Sequence, residues 1–341
     1  MHVAVVGCGY IARRSHLPAW NKLATIVAVV DENLGALETA RKEFGIQKGY
    51  LKMSDLQAQG DVDIVDICTP PDSHAKVALQ ALDGGSHVVL EKPMCLTLEE
   101  VDQVMLAARR NNRRVFVCHD FLYWPTVQKA HRYIASGKAG TINGILLKYF
   151  EWRDNPLLVD SASWYRTLQG DIFYHVLPHV VYLSLSFLGQ LTVVGVTSSK
   201  RSKGDLPFDR LVINLRSKNE QLVTAIMSCD SPGGWVEVEL MGEKENLRVS
   251  TSFTTYQGGT SNTSRYDVLR ENLKIFGLTS HSLLSRMFEG MRGDSSHYRL
   301  FKDIINSLGT PGGREPPYLC TGEGGREVVA LTNEIISRAL V

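Results

Sequence analysis

The sequence predicts an α/β plus α+β protein, with an N-terminal doubly wound parallel sheet and a C-terminal α+β domain built on an open, mostly antiparallel sheet. Three observations carry this. Short apolar strands alternate with helical stretches from the N-terminus to about residue 120. The first strand breaks on Gly7-Cys8-Gly9-Tyr10-Ile11-Ala12 and runs straight into a helix. Beyond residue 120, β-type runs follow one another, interrupted by one long apolar helix. The expected division is therefore 1–120 and 121–341, with the C-terminal helix free to pack back on the first domain.

Taken in order, His2-Val3-Ala4-Val5-Val6 is an apolar strand, the helix after the glycine turn reaches about Leu23, and Ile26 to Val30 is a second strand closing on Asp31. Leu34 to Phe44 reads as a helix with Gly45 as its C-cap. Asp63 to Cys68 is a strand, and Ser73 to Leu82 a helix stopped by Gly84-Gly85. His87 to Leu90 is another buried strand. Thr97 opens a helix with a capping box completed by Glu100. Arg114 to Cys118 is the last strand of the series. Repeated βα units of this length make a parallel sheet whose ligand sits at the carboxyl ends of the strands.

The second half begins with a helix over Thr126–Ser136. Strand-like runs follow at 142–152, 191–199, 209–216, 221–228 and 235–250, with the apolar helix at about 171–187. Gly258 to Ser264 is polar and reads as a loop. Glu327 to Leu340 spaces its apolar residues helically and should pack on a core.

Bulk properties exclude several classes. The chain has 341 residues, enough for two cores, and a net charge of +1, which offers no electrostatic case for nucleic acid or a membrane surface. The longest apolar stretch, Val176 to Leu188, contains Pro178 and His179 and is too short to span a bilayer. The N-terminal strand lacks the basic segment and cleavage site of a secretory leader. Six cysteines, at 8, 68, 95, 118, 229 and 320, form no C-x-x-C pair, so reduced thiols and a cytoplasmic location are expected.

The first turn carries the clearest chemistry. Gly7 permits the tight turn, Gly9 lets the backbone approach a pyrophosphate, and a small residue at 12 allows close helix–strand packing. Asp31, at the end of the second strand, can accept hydrogen bonds from an adenosine ribose. A carboxylate there repels the 2′-phosphate of NADP, and no Arg follows in Glu32-Asn33-Leu34, so NAD is the expected cofactor. Two further segments lie at the same sheet edge. Thr69-Pro70-Pro71-Asp72-Ser73-His74 can wall a flat ring, or can be an ordinary turn capped by Ser73 or Asp72. Glu91-Lys92-Pro93 places a Lys where a low-dielectric crevice would lower its pKa, or a surface Lys paired with Glu91.

Together, G-C-G-Y-I-A at 7–12, C-T-P-P-D-S-H at 68–74 and E-K-P at 91–93, followed by an α+β half, resemble the Gfo/Idh/MocA family. The resemblance covers nearly the whole chain and is strongest over residues 1–125. It implies a Rossmann domain and a nicotinamide-dependent dehydrogenase acting on sugars, sugar nucleotides or inositols. It further implies that Gly7, Gly9, Tyr10, Ile11, Asp31, Thr69, Pro70, His74, Glu91 and Lys92 line the cofactor cleft, with Lys92 near the reacting carbon. The family's second signature, G-G-G-x-x-x-D-x-G-x-H, matches the stretch from Gln169 to His179. His179 takes the place of the family's His, His175 stands where the Asp would be, and Leu177 replaces the middle Gly.

Residues four apart share a helical face, so His175 and His179 can both meet a bound hydroxyl. The expected roles are His179 as general base or acid, Lys92 as the charge facing a developing alkoxide, and His175 as orienter or relay. H-x-x-x-H is also a metal-ligand spacing, with Asp171 as the nearby third donor, but no metal is expected. Trp152, Arg153, Trp164 and Arg166 are candidates for stacking on a sugar face or gripping an anion, and Tyr123 for the cleft wall. For Arg153 and Arg166 the alternative is rim packing and surface pairing. An open sheet needs a cover, so a homodimer or homotetramer is expected. Two competing accounts are redox-neutral NAD-dependent glycoside cleavage or elimination, and a non-catalytic NAD-binding ligand sensor.

Overall fold

The computed structural model describes residues 1–58, 60–153, 163–168, 170–201, 206–250, 254–258, 295–309 and 312–341. The loop expected from Gly258 lies outside them from residue 259 onward. Two compact units emerge: Met1–Tyr123 with Asp294–Ala330, and Trp124–Gly293 with Leu331–Val341.

The first unit is built on six parallel strands: β1 (His2–Val6), β2 (Thr25–Val30), β3 (Gly49–Tyr50), β4 (Ile64–Ile67), β5 (His87–Leu90) and β6 (Val115–Val117), in the order β3-β2-β1-β4-β5-β6. All four residues of β4 are buried, as are Val3 to Val6 of β1. Continuous burial of this kind requires helices on both faces of the sheet. Val3 to Val6 pair with Ile26 to Val30 on one side and with Ile64 to Ile67 on the other. The chain thus leaves β1 toward β2 and returns beyond β1 at β4, which opens a crevice at their carboxyl ends.

Local chemistry explains the helices. A π-helical turn, Ala12–His16, precedes α1 (Leu17–Leu23). Pro18 has no N–H and in a regular helix its ring would collide with the carbonyl four residues back, which the wider turn before it relieves; His16, the last residue of that turn, is buried. Helix α2 (Leu34–Phe44) starts on Asn33, whose side chain accepts from the Ala36 N–H, and ends on Gly45 at φ 67°. A short helix α3 (Met53–Gln57) follows β3; both are too brief to show periodicity. Helix α4 (His74–Asp83) follows a tight 3₁₀ turn at Pro71–Ser73, and Ser73 does not cap it. Its hydroxyl turns back to Thr69 Oγ1 at 2.6 Å and the Pro70 carbonyl at 2.8 Å. Helix α5 (Leu98–Arg110) has the full capping box of Thr97 and Glu100.

The second unit carries α6 (Pro125–Ala135) and a seven-stranded sheet: β7 (Ile142–Trp152), β8 (Leu191–Ser199), β9 (Arg210–Ser217), β10 (Leu222–Ser231), β11 (Trp235–Gly242), β12 (Glu245–Ser250) and β13 (Thr254–Gly258). Their order is β13-β12-β11-β7-β10-β9-β8, antiparallel except where β7 meets β10. The single run expected at 235–250 divides at Glu243-Lys244, whose N–H groups donate to Thr141 and Ala139 carbonyls. Alternation continues on both sides of that turn, so a period-two pattern hides it. Helix α7 (Phe173–Leu188) lies on β7. It carries Pro178 in its interior without breaking, because burial from Val176 to Leu185 outweighs one lost backbone bond.

Two more helices complete the described residues, α8 (Ser296–Gly309) and α9 (Gly322–Ala339). Helix α8 belongs to the first unit, where Phe301 stacks on Trp20 with ring centroids 4.2 Å apart. Helix α9 begins earlier than its apolar pattern suggests. Its first turns carry Gly322, Gly324 and Gly325, where any Cβ would collide with Met105, the Tyr318 carbonyl or Val117. No described helix is long and apolar enough to cross a membrane. All six cysteines are free and buried.

Candidate active site

Gly7 leaves β1 with φ of 90°. A Cβ there would stand 2.7 Å from the Cys68 carbonyl carbon, so only glycine passes between the ends of β1 and β4. At Gly9 a Cβ would meet nothing within 4 Å, and that open space belongs to a cavity of about 580 Å³. The Cys8 N–H donates to Asp31 Oδ2 at 2.7 Å and the Asn33 N–H to Oδ1 at 2.8 Å. The carboxylate is thereby fixed against the glycine turn, and both oxygens keep lone pairs for hydroxyl groups. Burial, and then the Asp31 charge, push the Cys8 thiol up to about 12, so it stays neutral.

The cavity is lined by Gly7, Gly9, Asp31 and Glu32, by Leu51 to Ser54 after β3, and by Cys68, Thr69, Pro70, Ser73 and Lys76 after β4. Its size and its position at the switch between β1 and β4 suit a dinucleotide end. Five of the expected cofactor residues line it: Gly7, Gly9, Asp31, Thr69 and Pro70. Tyr10 and Ile11 follow Gly9 at the helix start. Tyr10 is 63% exposed, and the Arg14 guanidinium lies 5.7 Å from its ring centre.

His74 and Glu91 face the protein interior. His74 is fully buried, with Nε2 2.8 Å from the Thr69 carbonyl and Nδ1 3.0 Å from that of Pro93. Burial lowers its pKa against the pull of those carbonyls. It ties the loop after β4 to the loop after β5. Glu91 ends β5 and turns inward. Its Oε1 lies 2.9 Å from His16 Nε2, and its Oε2 accepts from the Lys92 backbone N–H at 2.9 Å. Burial alone would raise its pKa; hydrogen bonds from His16 and His297, with the His16 and Lys92 charges, hold it well below the usual range. His16 Nδ1 in turn lies 2.8 Å from Asp66 Oδ2, which also accepts from the Trp20 indole at 2.7 Å. Burial opposes a charge on His16, but the Asp66 carboxylate outweighs it and the pKa lies well above its ordinary value. Lys92 is half-buried on the next residue.

In the second unit, His175 and His179 sit on α7, four residues apart. His179 is buried, its Nδ1 lies 2.6 Å from the Tyr182 hydroxyl, and its ring stacks on Tyr149 at 6.1 Å. His175 is half-buried and meets the rings of Trp164 and Tyr165 at 6.2 and 6.0 Å. Arg166 is engaged by Asp171, with Nη1 3.2 Å from each carboxylate oxygen. Asp171 precedes the helix at φ 46° and accepts from the Ile172 N–H at 2.6 Å. Arg153 pairs with Asp230 at 3.5 Å, and Trp152 beside it is 42% exposed at the end of β7. Tyr123 is buried in the first unit and donates its hydroxyl to Asp303 at 2.9 Å.

The sequence reading passed over His16, Asp66 and Tyr182. Asp66 carries a signal, since a carboxylate inside Ile64-Val65-Asp66-Ile67 must find a partner. His16 stands just before Leu17-Pro18 in the helical stretch, with no local pattern that marks it. Tyr182 lies three residues from His179, a helical neighbour.

Comparison with known proteins agrees with this geometry. Residues 1–119 match the family model of the Gfo/Idh/MocA oxidoreductases, NAD-binding Rossmann fold, and residues 127–248 that of the Gfo/Idh/MocA C-terminal domain. D-apiose dehydrogenase of Paraburkholderia graminis is 31% identical over 263 residues, 73% of this chain and 68% of that protein. An oxidoreductase of Formosa agariphila is 27% identical over 205 residues, 58% of this chain and 64% of that one. Among solved structures, the WlbA dehydrogenase of Bordetella pertussis, in complex with NADH and UDP-GlcNAcA, superposes with a TM-score of 0.80 at 22% identity, covering 100% of this chain and 95% of that one.

Proposed function

This chain belongs to the Gfo/Idh/MocA family of NAD-binding oxidoreductases, and on that premise we propose that it moves a hydride between nicotinamide and a secondary alcohol or ketone carbon of a carbohydrate-like substrate. The observation carrying this reading is the cavity at the β1/β4 switch, walled by the glycine turn and Asp31, one strand from Lys92 at the end of β5. NAD, when bound, supplies the hydride acceptor or donor. Gly7 and Gly9 admit its pyrophosphate, Asp31 takes its ribose hydroxyls, and Thr69 and Pro70 wall the cleft.

Lys92 places a positive charge beside the oxygen that develops as alkoxide. His179 accepts the hydroxyl proton when the substrate is oxidised and returns it in the reverse direction. Its Nδ1 is held by Tyr182, which fixes the ring's orientation. His175, packed on Trp164 and Tyr165, orients the hydroxyl. Trp152 and Trp164 offer flat faces to a sugar ring. The names of the relatives, with apiose and a uridine-diphospho sugar acid among their ligands, support the substrate class. A second copy covers the outer sheet face, where Val212, Leu222, Ile226, Trp235 and Met241 are exposed.

The test is NAD reduction followed by nicotinamide absorbance across sugars, inositols, sugar acids and sugar nucleotides. Turnover with one class is expected. NAD binding by calorimetry without turnover on any class would overturn the dehydrogenase. Light scattering at micromolar protein should give a dimer or tetramer mass, and a monomer would overturn the covered sheet.

A further inference from the structure

We infer that His16 is a positioning residue for Lys92: protonated on both ring nitrogens, it bridges the Asp66 and Glu91 carboxylates and holds Glu91 turned inward, with the second Glu91 oxygen on the Lys92 backbone N–H. The part concerning Lys92 rests on the reading of that lysine as catalytic.

The geometry leaves little choice of protonation. His16 Nδ1 is 2.8 Å from Asp66 Oδ2 and Nε2 is 2.9 Å from Glu91 Oε1. A neutral imidazole has one N–H, so one of these contacts would set a ring lone pair against a carboxylate oxygen. Both side-chain ends are out of water, where such a repulsion is unscreened. Two N–H groups turn both contacts into charge-assisted hydrogen bonds. Asp66 depends on this donor: among the described residues its buried Oδ1 has no hydrogen-bond partner, and its Oδ2 receives His16, Trp20 and a long contact from Cys68.

The bridge ties three places that meet under the sheet's carboxyl edge: the helix after the glycine turn, the end of β4 and the end of β5. Glu91 Oε1 also faces His297 Nε2 at 3.6 Å, and His297 faces Asp120 at 4.0 Å. His297 and Phe301 close the other side of the imidazole, at 4.9 and 5.2 Å between ring centres. With Glu91 held this way, its negative charge stays next to Lys92 and its Oε2 fixes the Lys92 main chain. A Glu91 released from His16 is free to turn toward the crevice and pair with the lysine head, which would withdraw it from a substrate oxygen.

The same neighbourhood brings Cys68 and Cys118 within 4.8 Å of His16 and a carboxylate, a grouping that could seat a cation. Burial pushes both thiols up, so they are protonated, and each ring nitrogen already meets a carboxylate at hydrogen-bond distance. A proton bridge accounts for the arrangement; a metal is not needed.

The decisive experiment uses full-length enzyme labelled with ¹⁵N-histidine. At pH 8, well above the ordinary histidine pKa of about 6.5, one histidine should show two ring N–H protons, and both should vanish in His16→Gln. In kinetics, His16→Gln and Glu91→Gln should lower kcat at least about tenfold while the Kd for NAD stays within about threefold. A single ring N–H on His16, one equivalent of zinc in the purified wild type that His16→Gln lacks, or wild-type kcat in Glu91→Gln would each overturn the inference. The wild-type spectrum and Glu91→Gln remain informative if His16→Gln does not fold. A fully active Lys92→Met would overturn the catalytic reading itself, while the spectrum still decides the bridge.

Discussion

The two units treat a buried histidine in opposite ways. In the first, His16 lies between two carboxylates and its positive charge is locked in place. In the second, His179 meets the Tyr182 phenol at 2.6 Å and packs against the Tyr149 ring, and the contacts described for it carry no pair of carboxylates like the one around His16. A residue that must pass a proton back and forth near pH 7 needs neutral partners, since a carboxylate would trap the proton. A residue that must hold a loop needs the reverse. The difference separates a fixed ion pair from a proton carrier without reference to either residue's place in a motif.

Turnover offers the largest way to break this comparison. Lys92→Met and His179→Ala should each lower kcat by about 10²–10⁴ with little change in NAD affinity, measured by steady-state assay and calorimetry. His16→Ala should act first on the fold. It leaves Asp66 and Glu91 buried and facing each other, and the cost of breaking such a pair is about 3–5 kcal/mol in denaturant unfolding. His179→Ala should cost less stability, since the contact it removes is a hydrogen bond to the Tyr182 hydroxyl rather than a donor shared by two buried carboxylates. Equal stability losses for the two would remove the distinction.

These expectations also mark what the sequence makes legible. The βα alternation, the Gly45 stop and the Thr97–Glu100 capping box are local signals, and the structure carries each of them. The glycine turn and Asp31 were readable for the same reason: their chemistry is completed within thirty-one residues. The bridge was not, because it joins residues 16, 66 and 91 and depends on a π-helical turn that no periodicity reveals. Glu91 shows the limit most directly. Read beside Lys92 in E-K-P it points to the cofactor cleft, yet its carboxylate is drawn inward by a histidine 75 positions away. Likewise Arg166, a candidate anion grip, is held by Asp171, whose φ of 46° no sequence pattern announces.

A middle-sized effect concerns the cofactor. Asp31→Ser removes the carboxylate but leaves Lys52 and Lys76 on the cavity wall. The ratio of kcat/KM for NADP over NAD should rise roughly 10- to 100-fold, as loss of a like charge close to a phosphate allows. An unchanged ratio would place the ribose away from Asp31. A smaller effect falls on the second unit. Tyr182→Phe keeps the ring and removes the hydroxyl that orients His179, so kcat should drop about 3- to 10-fold with KM steady. The acid limb of the kcat profile should shift as well, which a packing defect alone would not produce.

The finest test sets two histidines against each other through stability alone. Burial lowers the pKa of His131, in the second unit, to about 4. Its unfolded form takes up a proton near pH 6.5 and its folded form does not, so it drains stability as pH falls from about 6.5 toward 4. His119 and His87 in the first unit, also lowered to about 4, add slopes of the same sign. His16 has the opposite sign, since its folded pKa is raised. Its contribution is complete below about pH 6.5 and is lost as pH climbs toward the folded pKa, because the unfolded chain gives up the proton first. Each proton corresponds to about 1.36 kcal/mol per pH unit. Urea unfolding across pH should therefore show an acid-side slope that His131→Gln reduces by about one proton and His16→Gln leaves alone. On the alkaline side His16→Gln should flatten a decline that His131→Gln leaves intact. If both variants change the same limb, the charge assigned to His16 is wrong, and the contrast between the two units reduces to packing.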